Sequence, residues 1–297
     1  MLPIPRTAAG DDFAPGMNRS PKEPAKKLRS EGAVRSARRK LVAVAAMCLL
    51  LASAARVGAQ RQERGKKQAA PPAPTPAVVP FTAGERLEYA AQWNKFLTAA
   101  TLKMNVIERR DFFGAPVWHL QARAQTIDPV RMIFTLDDQF DSYTDAMTLE
   151  SRQYESYIRE QAKRDDLVVP MATKPDANRS GVHVYLVLPQ TQDPLGFFYR
   201  LRAEDWKKEP VLKLPVFDGR KMYEVTARRE SSGQTVEVAA GSFAVTRVAL
   251  KVFQGGQEVQ NLSVWVSLTE DSARVPVLIE AEAPFGTVRA ELTGRTP

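Results

Sequence analysis

The stretch VLKLPVFDGRKMYEVTARR, residues 211–229, places two runs with regularly spaced apolar residues on either side of Asp218 and Gly219. An Asp-Gly pair between such runs is a strong signal for a β-hairpin, because glycine readily adopts the backbone conformation of a tight turn. Two similar pairs of runs follow, residues 242–253 with 258–268 around Gly255-Gly256, and 275–283 with 287–292 around Pro284-Phe285-Gly286. Three consecutive hairpins predict a mainly β fold, in which an antiparallel sheet curves into a half-barrel with one or two short helices.

The chain before these hairpins carries the same pattern. Strand-like runs occupy residues 87–93, 100–108 and 116–127, and the last two flank a turn at residues 111–114. Residues 182–188 form a nearly continuous apolar run, which is typical of a buried strand. The charged residues 151–164 fit either a helix or an exposed strand, and the Val-Val-Pro sequence that follows favours a strand. We expect residues 171–181 to form a loop.

One helix is predicted, in the sequence DPLGFFYRLR at residues 193–202. Asp193 is a favoured N-cap residue, and proline is well tolerated in the first helical turn. Leu195, Phe198, Tyr199 and the stem of Arg202 fall on one face at helical spacing. The sequence therefore predicts a short helix that lies on the sheet, with two arginines near its C-terminus, where the helix dipole favours positive charge.

The N-terminal part of the chain has the features of an export signal. A basic cluster at residues 35–40 precedes the apolar run LVAVAAMCLLLASAA at residues 41–55, which is short for a transmembrane helix. We expect residues 1–59 to be a basic n-region and signal peptide that is cleaved after Ala59, with residues 52–54 as the second choice. An uncleaved anchor, a twin-arginine export route and a start at Met17 instead of Met1 are open alternatives.

The remaining chain divides into a linker and a domain. Residues 60–80 are rich in Pro and Ala and predict an extended linker. Residues 81–297 predict a single β-rich domain. Residues 1–80 hold 15 Lys and Arg against 5 Asp and Glu, a net charge of +10, whereas residues 81–297 hold 27 against 29, a net of −2. Because the basic excess lies in the N-terminal tail, the charge does not indicate nucleic-acid binding.

An ordered set of short motifs spans residues 81–292. The motif residues are Phe81, Gly84, Glu85, Leu87, Tyr89, Trp93, Asp138, Phe140, Ser142, Asp145, Asp193, Leu195, Phe198, Tyr199, Arg200, Arg202, Gly241, Phe243, Trp265, Asp271, Arg274, Pro276, Gly286, Val288, Ala290 and Leu292. In that order they resemble the bacterial exported family catalogued as domain of unknown function 3108. The chain departs from the pattern at Gly196, where a small polar residue such as Ser is expected. The resemblance implies a β-rich envelope protein with a signal peptide and no established activity, and it supplies no catalytic residues.

The sequence offers little catalytic chemistry. Cys48, the only cysteine, lies in the signal segment, so a processed chain has no thiol. His119 and His183 lie in strand-like runs and are interpreted as surface residues, and neither a nucleophile elbow nor a phosphate-binding loop is present. Asp137, Asp138, Asp141 and Asp145 form an acidic patch that is either a Ca²⁺ site or a solvated face, and we favour the solvated face. We therefore expect no catalytic residue, no metal and no cofactor.

Aromatic residues give a better indication of binding. Trp93, Trp118, Phe198, Tyr199, Trp265 and Phe285 lie on elements that could enclose a cavity. The alternative is that these rings fill the core, and we favour that alternative. The residues predicted to bind a ligand are Trp93, Asp138, Tyr199, Arg202 and Trp265.

Three functions from different classes follow from these observations. The first is an exported, non-enzymatic binding module of the periplasm or cell envelope that holds an apolar ligand, such as a lipid, or part of an envelope polymer. The second is a scaffold that pairs with envelope proteins through its sheet edges. The third is a hydrolase or lyase that uses carboxylates with His. We expect no nucleic-acid partner, and membrane contact only through the signal segment if that segment is retained.

Overall fold

The computed structural model describes residues 78–94, 97–175, 177–283 and 286–297. In these residues the chain forms fourteen strands, two α-helices and one 3₁₀ turn. The strands are β1 (Arg86–Trp93), β2 (Leu97–Phe112), β3 (Ala115–Thr126), β4 (Asp137–Asp145), β5 (Ser151–Glu160), β6 (Lys163–Ala172), β7 (Tyr185–Leu186), β8 (Val211–Phe217), β9 (Met222–Val238), β10 (Gly241–Gln254), β11 (Gln257–Glu258), β12 (Ser263–Thr269), β13 (Pro276–Ala283) and β14 (Gly286–Thr296). The helices are α1 (Val130–Ile133) and α2 (Pro194–Ala203), and the 3₁₀ turn is Ala177–Arg179.

The strands form one long antiparallel meander with a single parallel pair at its edge. The order across the sheet is β7-β6-β5-β4-β3-β2-β1-β14-β13-β12-β10-β9-β8, and β11 pairs with β10. The first and last long strands, β1 and β14, are hydrogen-bonded neighbours at the middle of this order, and only the β6–β7 pair is parallel. The predicted mainly β fold with a curved antiparallel sheet is confirmed, as are the three C-terminal hairpins.

The two ends of the sheet meet, so the sheet is curved into a barrel-like shape. Between them lies the segment 191–193: Thr191 O accepts from the N–H of Ser151 on β5, and Gln192 forms a parallel bridge to Val216 on β8. The turn between β8 and β9 also reaches β6. A Cβ on Gly219 would lie 2.4 Å from a Val169 methyl carbon, so only glycine fits against β6 at this position.

The helix α2 forms where the sequence predicts it. The Asp193 side chain accepts hydrogen bonds from the N–H groups of Leu195 and Gly196, and Pro194 occupies the first turn. The predicted single buried face is incomplete, because Phe198 is only half-buried while Phe197 and Leu201 are fully enclosed. The helix is therefore packed on most of its circumference, and it contacts β3, β4 and β8.

Two segments differ from the sequence-based expectation. Residues 182–188 form only the two-residue strand β7, and Val182, Leu186 and Leu188 are 42, 66 and 58% exposed, so the predicted buried strand is wrong. An apolar run of this length does not distinguish a buried strand from an exposed edge. Residues 151–164 are extended, as favoured, but a turn at residues 161–162 divides them between β5 and β6.

The interior of the curved sheet is filled by side chains. Tyr89, Phe140, Tyr154 and Tyr199 are among the largest fully buried residues, and they belong to one continuous apolar cluster. Phe81 lies edge-on to both Trp118 and Tyr199, with ring centroids 5.4 and 5.1 Å away. Of the rings that could have enclosed a cavity, Tyr199 lies in the core and Trp93, Trp118 and Phe198 pack against it, as the favoured alternative predicts, whereas Trp265 does not belong to this cluster.

Several predictions fall outside the described residues. They are the signal segment with its cleavage site and Cys48, most of the linker, and Phe285. Within the described part of the chain, no helix has the length and apolar character needed to span a bilayer.

Candidate functional site

A cleft of about 310 Å³ opens where several chain reversals meet at one end of the sheet. We call it the end cleft. Its walls come from the β2–β3 turn, the beginning of β5, the end of β6 with the residues that follow, and residues 187–191. The lining residues are Phe113, Gly114, Ala115, Asp145, Glu150, Ser151, Arg152, Met171, Ala172, Thr173, Lys174, Pro175, Asn178, Val187, Leu188 and Thr191. Its volume is at the lower end of the range of small-molecule sites.

The carboxylates of the end cleft already accept hydrogen bonds from protein groups. Asp145 Oδ1 accepts from the N–H groups of Met147 and Thr148, at 2.9 and 3.0 Å, and Oδ2 accepts from Arg152 Nε at 2.8 Å. Burial raises the pKa of Asp145, but these hydrogen bonds outweigh burial and hold the pKa below its usual value. Glu150 Oε1 accepts from the Gln190 N–H at 2.6 Å. Both carboxylates therefore hold the segments of the cleft wall together through hydrogen bonds.

The basic groups of the end cleft keep hydrogen-bond donors available. Arg152 is 30% exposed and uses only its Nε in a hydrogen bond within the described residues. Lys174 is exposed and has no ion pair with any described residue. Arg179 lies behind the wall and donates to the carbonyl oxygens of Met171 and Arg152, so it ties β6 to β5. The cleft is therefore polar, and Arg152 and Lys174 supply donors that have no partner among the described residues.

A buried hydroxyl–carboxylate cluster supports the cleft from beneath. Ser151, which lines the cleft, donates to Asp193 Oδ2 at 2.6 Å and accepts from the Asp193 N–H at 2.7 Å. Ser142 donates to the same oxygen. Burial raises the pKa of Asp193, although four hydrogen bonds to the carboxylate oppose that rise. The cluster fixes the start of α2 relative to β4 and β5.

The departure from the family pattern at Gly196 has a geometric reason. A Cβ at Gly196 would lie 2.8 Å from the Ser151 hydroxyl oxygen and 3.3 Å from that of Ser142. In this chain the two serines of β4 and β5 therefore supply hydroxyl groups at the helix start, in the space that a larger residue 196 would occupy.

Two of the five residues predicted to bind a ligand, Tyr199 and Arg202, lie side by side on α2. Arg202 Nη1 donates to Glu85 Oε1 at 2.6 Å and Nη2 donates to Oε2 at 3.0 Å, and the two side chains are 1 and 2% exposed. The guanidinium lies 5.5 Å from the Tyr199 ring and 5.4 Å from the Phe81 ring. This arrangement joins the helix to the beginning of the domain and leaves no access for a ligand.

The other three predicted residues are dispersed. Asp138 points into the sheet interior on β4, Trp93 is half-buried at the end of β1, and Trp265 lies under the Arg247 guanidinium at 5.1 Å on the outer face of β12. None of the five lines the end cleft or the two other clefts that we describe, of about 260 and 590 Å³. The structure therefore gives each of them a separate environment.

The acidic patch divides because strand residues alternate between faces. Asp138 is 1% exposed inside the sheet and Asp141 is 3% exposed on the other face, so the favoured solvated-face interpretation is wrong for both. Asp137 pairs with Arg131, and Asp145 belongs to the end cleft. Among the described residues, no group of three or more His, Cys, Asp or Glu has a metal-binding arrangement.

The two histidines differ in environment. His119 Nε2 lies 2.8 Å from Asp141 Oδ1, and its ring stacks on Tyr143. Burial raises the pKa of Asp141, but hydrogen bonds from His119, Gln139 and Gln121 hold it below its usual value. His183 is exposed and contacts Tyr185 edge-on. The surface interpretation fits His183, whereas His119 is half-buried in a hydrogen-bonded network.

Most residues of the end cleft were not predicted from the sequence. Lys174 and Thr173 fall in the segment expected to be a loop. Arg152 lies within residues 151–164, for which helix and strand were both open, and Glu150 lies just before them. The available signal was the convergence of turns, since binding residues often lie on loops held by a rigid scaffold. That convergence depends on strand pairing between distant residues.

Comparison of the sequence with protein families gives one match. The family described as "Protein of unknown function (DUF3108)" matches residues 88–293. No curated protein matches the chain.

Comparison with solved structures gives matches at low sequence identity. A beta-barrel-like protein of domain of unknown function DUF1849 from Brucella abortus is 13% identical with a TM-score of 0.48, over 72% of this chain and 97% of that chain. A candidate exported protein with a YmcC-like fold from Bacteroides fragilis is 10% identical with a TM-score of 0.35, over 75 and 100%. A candidate lipoprotein from Parabacteroides distasonis is 7% identical with a TM-score of 0.35, over 75 and 99%.

Proposed function

The chain belongs to the family described as "Protein of unknown function (DUF3108)", and we propose that it is an exported, non-enzymatic binding module of the cell envelope. Export is supported by the apolar segment 41–55 with its preceding basic cluster, and by the linker that follows. The envelope is the proposed location because such a linker separates a folded domain from the point of export.

The observation that carries the binding function is the contrast between a filled interior and an open polar cleft. An interior occupied by Tyr89, Phe140, Tyr154 and Tyr199 leaves these rings packed on each other and on neighbouring side chains. The end cleft instead presents hydrogen-bonding groups from four segments of the chain. These features favour a polar envelope component over an apolar ligand as the bound molecule.

The absence of catalysis is part of the same proposal. Ser151 and Thr191 are the buried hydroxyl residues of the end cleft. The Ser151 hydroxyl already donates to Asp193 and accepts from the Asp193 N–H, and the Thr191 hydroxyl donates to the Leu188 carbonyl.

A serine nucleophile passes its hydroxyl proton to a free general base such as His or Lys. The Ser151 hydroxyl donates to Asp193 instead, and that carboxylate already accepts from Ser142 and from the N–H groups of Leu195 and Gly196. His119, the less exposed of the two histidines, contacts Asp141 and Tyr143, and it does not line the cleft.

Native mass spectrometry of residues 60–297, purified from an exporting host, tests this function. We expect an adduct that extraction with organic solvent or mild denaturation removes. Thr173→Trp should abolish the adduct, because residue 173 is an exposed lining residue and a large ring there fills the cleft. Val168→Trp is the matched control, since Val168 is 50% exposed on β6, the strand that ends just before Thr173, and it lies outside the cleft. A protein that carries no adduct, or an adduct that survives in Thr173→Trp, would contradict the proposal.

A further inference from the structure

The distribution of hydrogen-bond donors and acceptors in the end cleft indicates the chemistry of its ligand. Asp145 and Glu150 have four carboxylate oxygens, and three of them, Asp145 Oδ1 and Oδ2 and Glu150 Oε1, accept from protein groups. The donors are Met147, Thr148, Arg152 and Gln190. A cationic ligand would have to displace these protein donors. The acids are thus poorly placed to bind it.

Unlike these carboxylate oxygens, several donors of the cleft have no hydrogen-bond partner among the described residues. Arg152 is oriented by its Nε hydrogen bond to Asp145, and its two terminal nitrogens have no partner among the described residues. The Lys174 ammonium, on the wall formed by the end of β6, likewise has no described carboxylate within ion-pairing distance. Asp145 pairs with Arg152 through Nε alone, so the two terminal nitrogens of Arg152 and the Lys174 ammonium are the donors that this cleft has available.

We propose that the end cleft binds its ligand through an anionic group, a phosphate or a carboxylate, that Lys174 and the terminal nitrogens of Arg152 receive. This inference rests on the proposed binding function and specifies the ligand that the site takes. Arginine presents a planar pair of donors that fits two oxygens of such a group, and lysine adds a compact positive charge. The phosphate of a lipid headgroup and a soluble phosphate or carboxylate share this chemistry.

The side chains around these two cations fit a small group on a larger molecule. Thr173 adds a hydroxyl beside Lys174, while Phe113 and Leu188 are 42 and 58% exposed at the rim. An anionic group in the cleft would therefore contact polar residues, and the remainder of the ligand would extend along the apolar rim towards solvent.

Calorimetric titration of purified residues 60–297 tests this assignment, with inorganic phosphate, sodium acetate, and vesicles of phosphatidylglycerol or phosphatidylcholine as probes. We expect phosphate or acetate to bind and Lys174→Gln to weaken binding ~tenfold, the usual loss for one charge-assisted hydrogen bond. Lys174→Arg should restore binding. Lys103→Gln is the control, because Lys103 is an exposed lysine on β2 that pairs with Glu88 outside the cleft. Binding should also weaken as ionic strength rises.

The outcomes separate this inference from the proposed function. Phosphate or acetate binding without vesicle binding supports the anion site and a soluble ligand, and binding of phosphatidylglycerol but not phosphatidylcholine vesicles supports the anion site and a lipid headgroup. If no anionic probe binds, or if Lys174→Gln binds as the wild type does, the anion assignment is overturned. Should the native adduct still be lost in Thr173→Trp, the binding function would stand while the anion assignment fails. Loss of both the adduct and all probe binding would overturn both.

Discussion

Two charged regions of this molecule use similar residues for different ends. Around α2, Arg202 and Glu85 are 1 and 2% exposed and bond each other through both guanidinium termini. In the end cleft, Arg152 is 30% exposed, and its two terminal nitrogens have no partner among the described residues. A buried or half-buried arginine therefore does not indicate a binding site by itself. The two regions differ in whether the arginine has guanidinium nitrogens without a hydrogen-bond partner among the described residues.

The largest effect should follow from breaking the buried pair. Arg202→Met leaves the Glu85 carboxylate buried without its main partner, and we expect the free energy of unfolding to fall by ~3–5 kcal/mol. Urea denaturation measures this loss. Glu85→Gln combined with Arg202→Met should recover part of it, since no uncompensated charge remains.

Arg200→Met provides the control for that experiment. Arg200 pairs with Glu204 on the same helix, but its side chain is 26% exposed, so its loss should cost less than ~1 kcal/mol. Equal losses for Arg200→Met and Arg202→Met would contradict the structural role assigned to the buried pair.

A smaller loss of stability should follow from removal of the helix cap. Asp193→Ala removes the acceptor of the Leu195 and Gly196 N–H groups, and we expect ~2 kcal/mol of destabilisation by urea denaturation. Ser142→Ala removes one of the two hydroxyl donors and should cost about half as much. If Ser142→Ala costs as much as Asp193→Ala, the helix cap is not the main function of the Asp193 carboxylate.

Replacement of Asp138 should change the stability of the fold in a pH-dependent way. The pKa of this carboxyl is raised to about 6, chiefly by burial and also by the Glu160 charge, and the hydrogen bond from the Arg159 N–H and the charge of Lys163 oppose that rise. Since the folded-state pKa lies above the unfolded value, the protonated form stabilises the fold at low pH, and that contribution disappears as the pH rises through about 6. Asp138→Asn should therefore raise Tm at pH 8 and have little effect at pH 4.5. A loss of Tm that is the same at both pH values would contradict this account.

The smallest effect on stability should occur in the end cleft. Lys174→Gln changes an exposed side chain without a described ion pair, so we expect the free energy of unfolding to stay within ~0.5 kcal/mol of the wild type. The same variant should lose anion binding. A variant that loses both binding and stability would mean that Lys174 has a structural role, as Arg202 does.

The sequence was sufficient for the parts of the fold that depend on local signals. The Asp218-Gly219 and Gly255-Gly256 turns and the Asp193 cap involve residues close in the chain, and each lies where predicted. The site was not predictable in this way. Asp138 and Arg202 were marked because of their residue types, whereas the end cleft depends on Arg152, Lys174 and Thr191 meeting through strand pairings between distant residues. Such convergence carries no local signature.

The most direct test of the account is a crystal structure of residues 60–297 purified from an exporting host without extraction. The account predicts electron density for a bound molecule in the end cleft, with an anionic group against Lys174 and Arg152, and a filled interior around Tyr199. Density for a ligand inside the sheet, beside Tyr199 or Asp138, would contradict it. So would an empty end cleft in protein whose native mass carries the adduct.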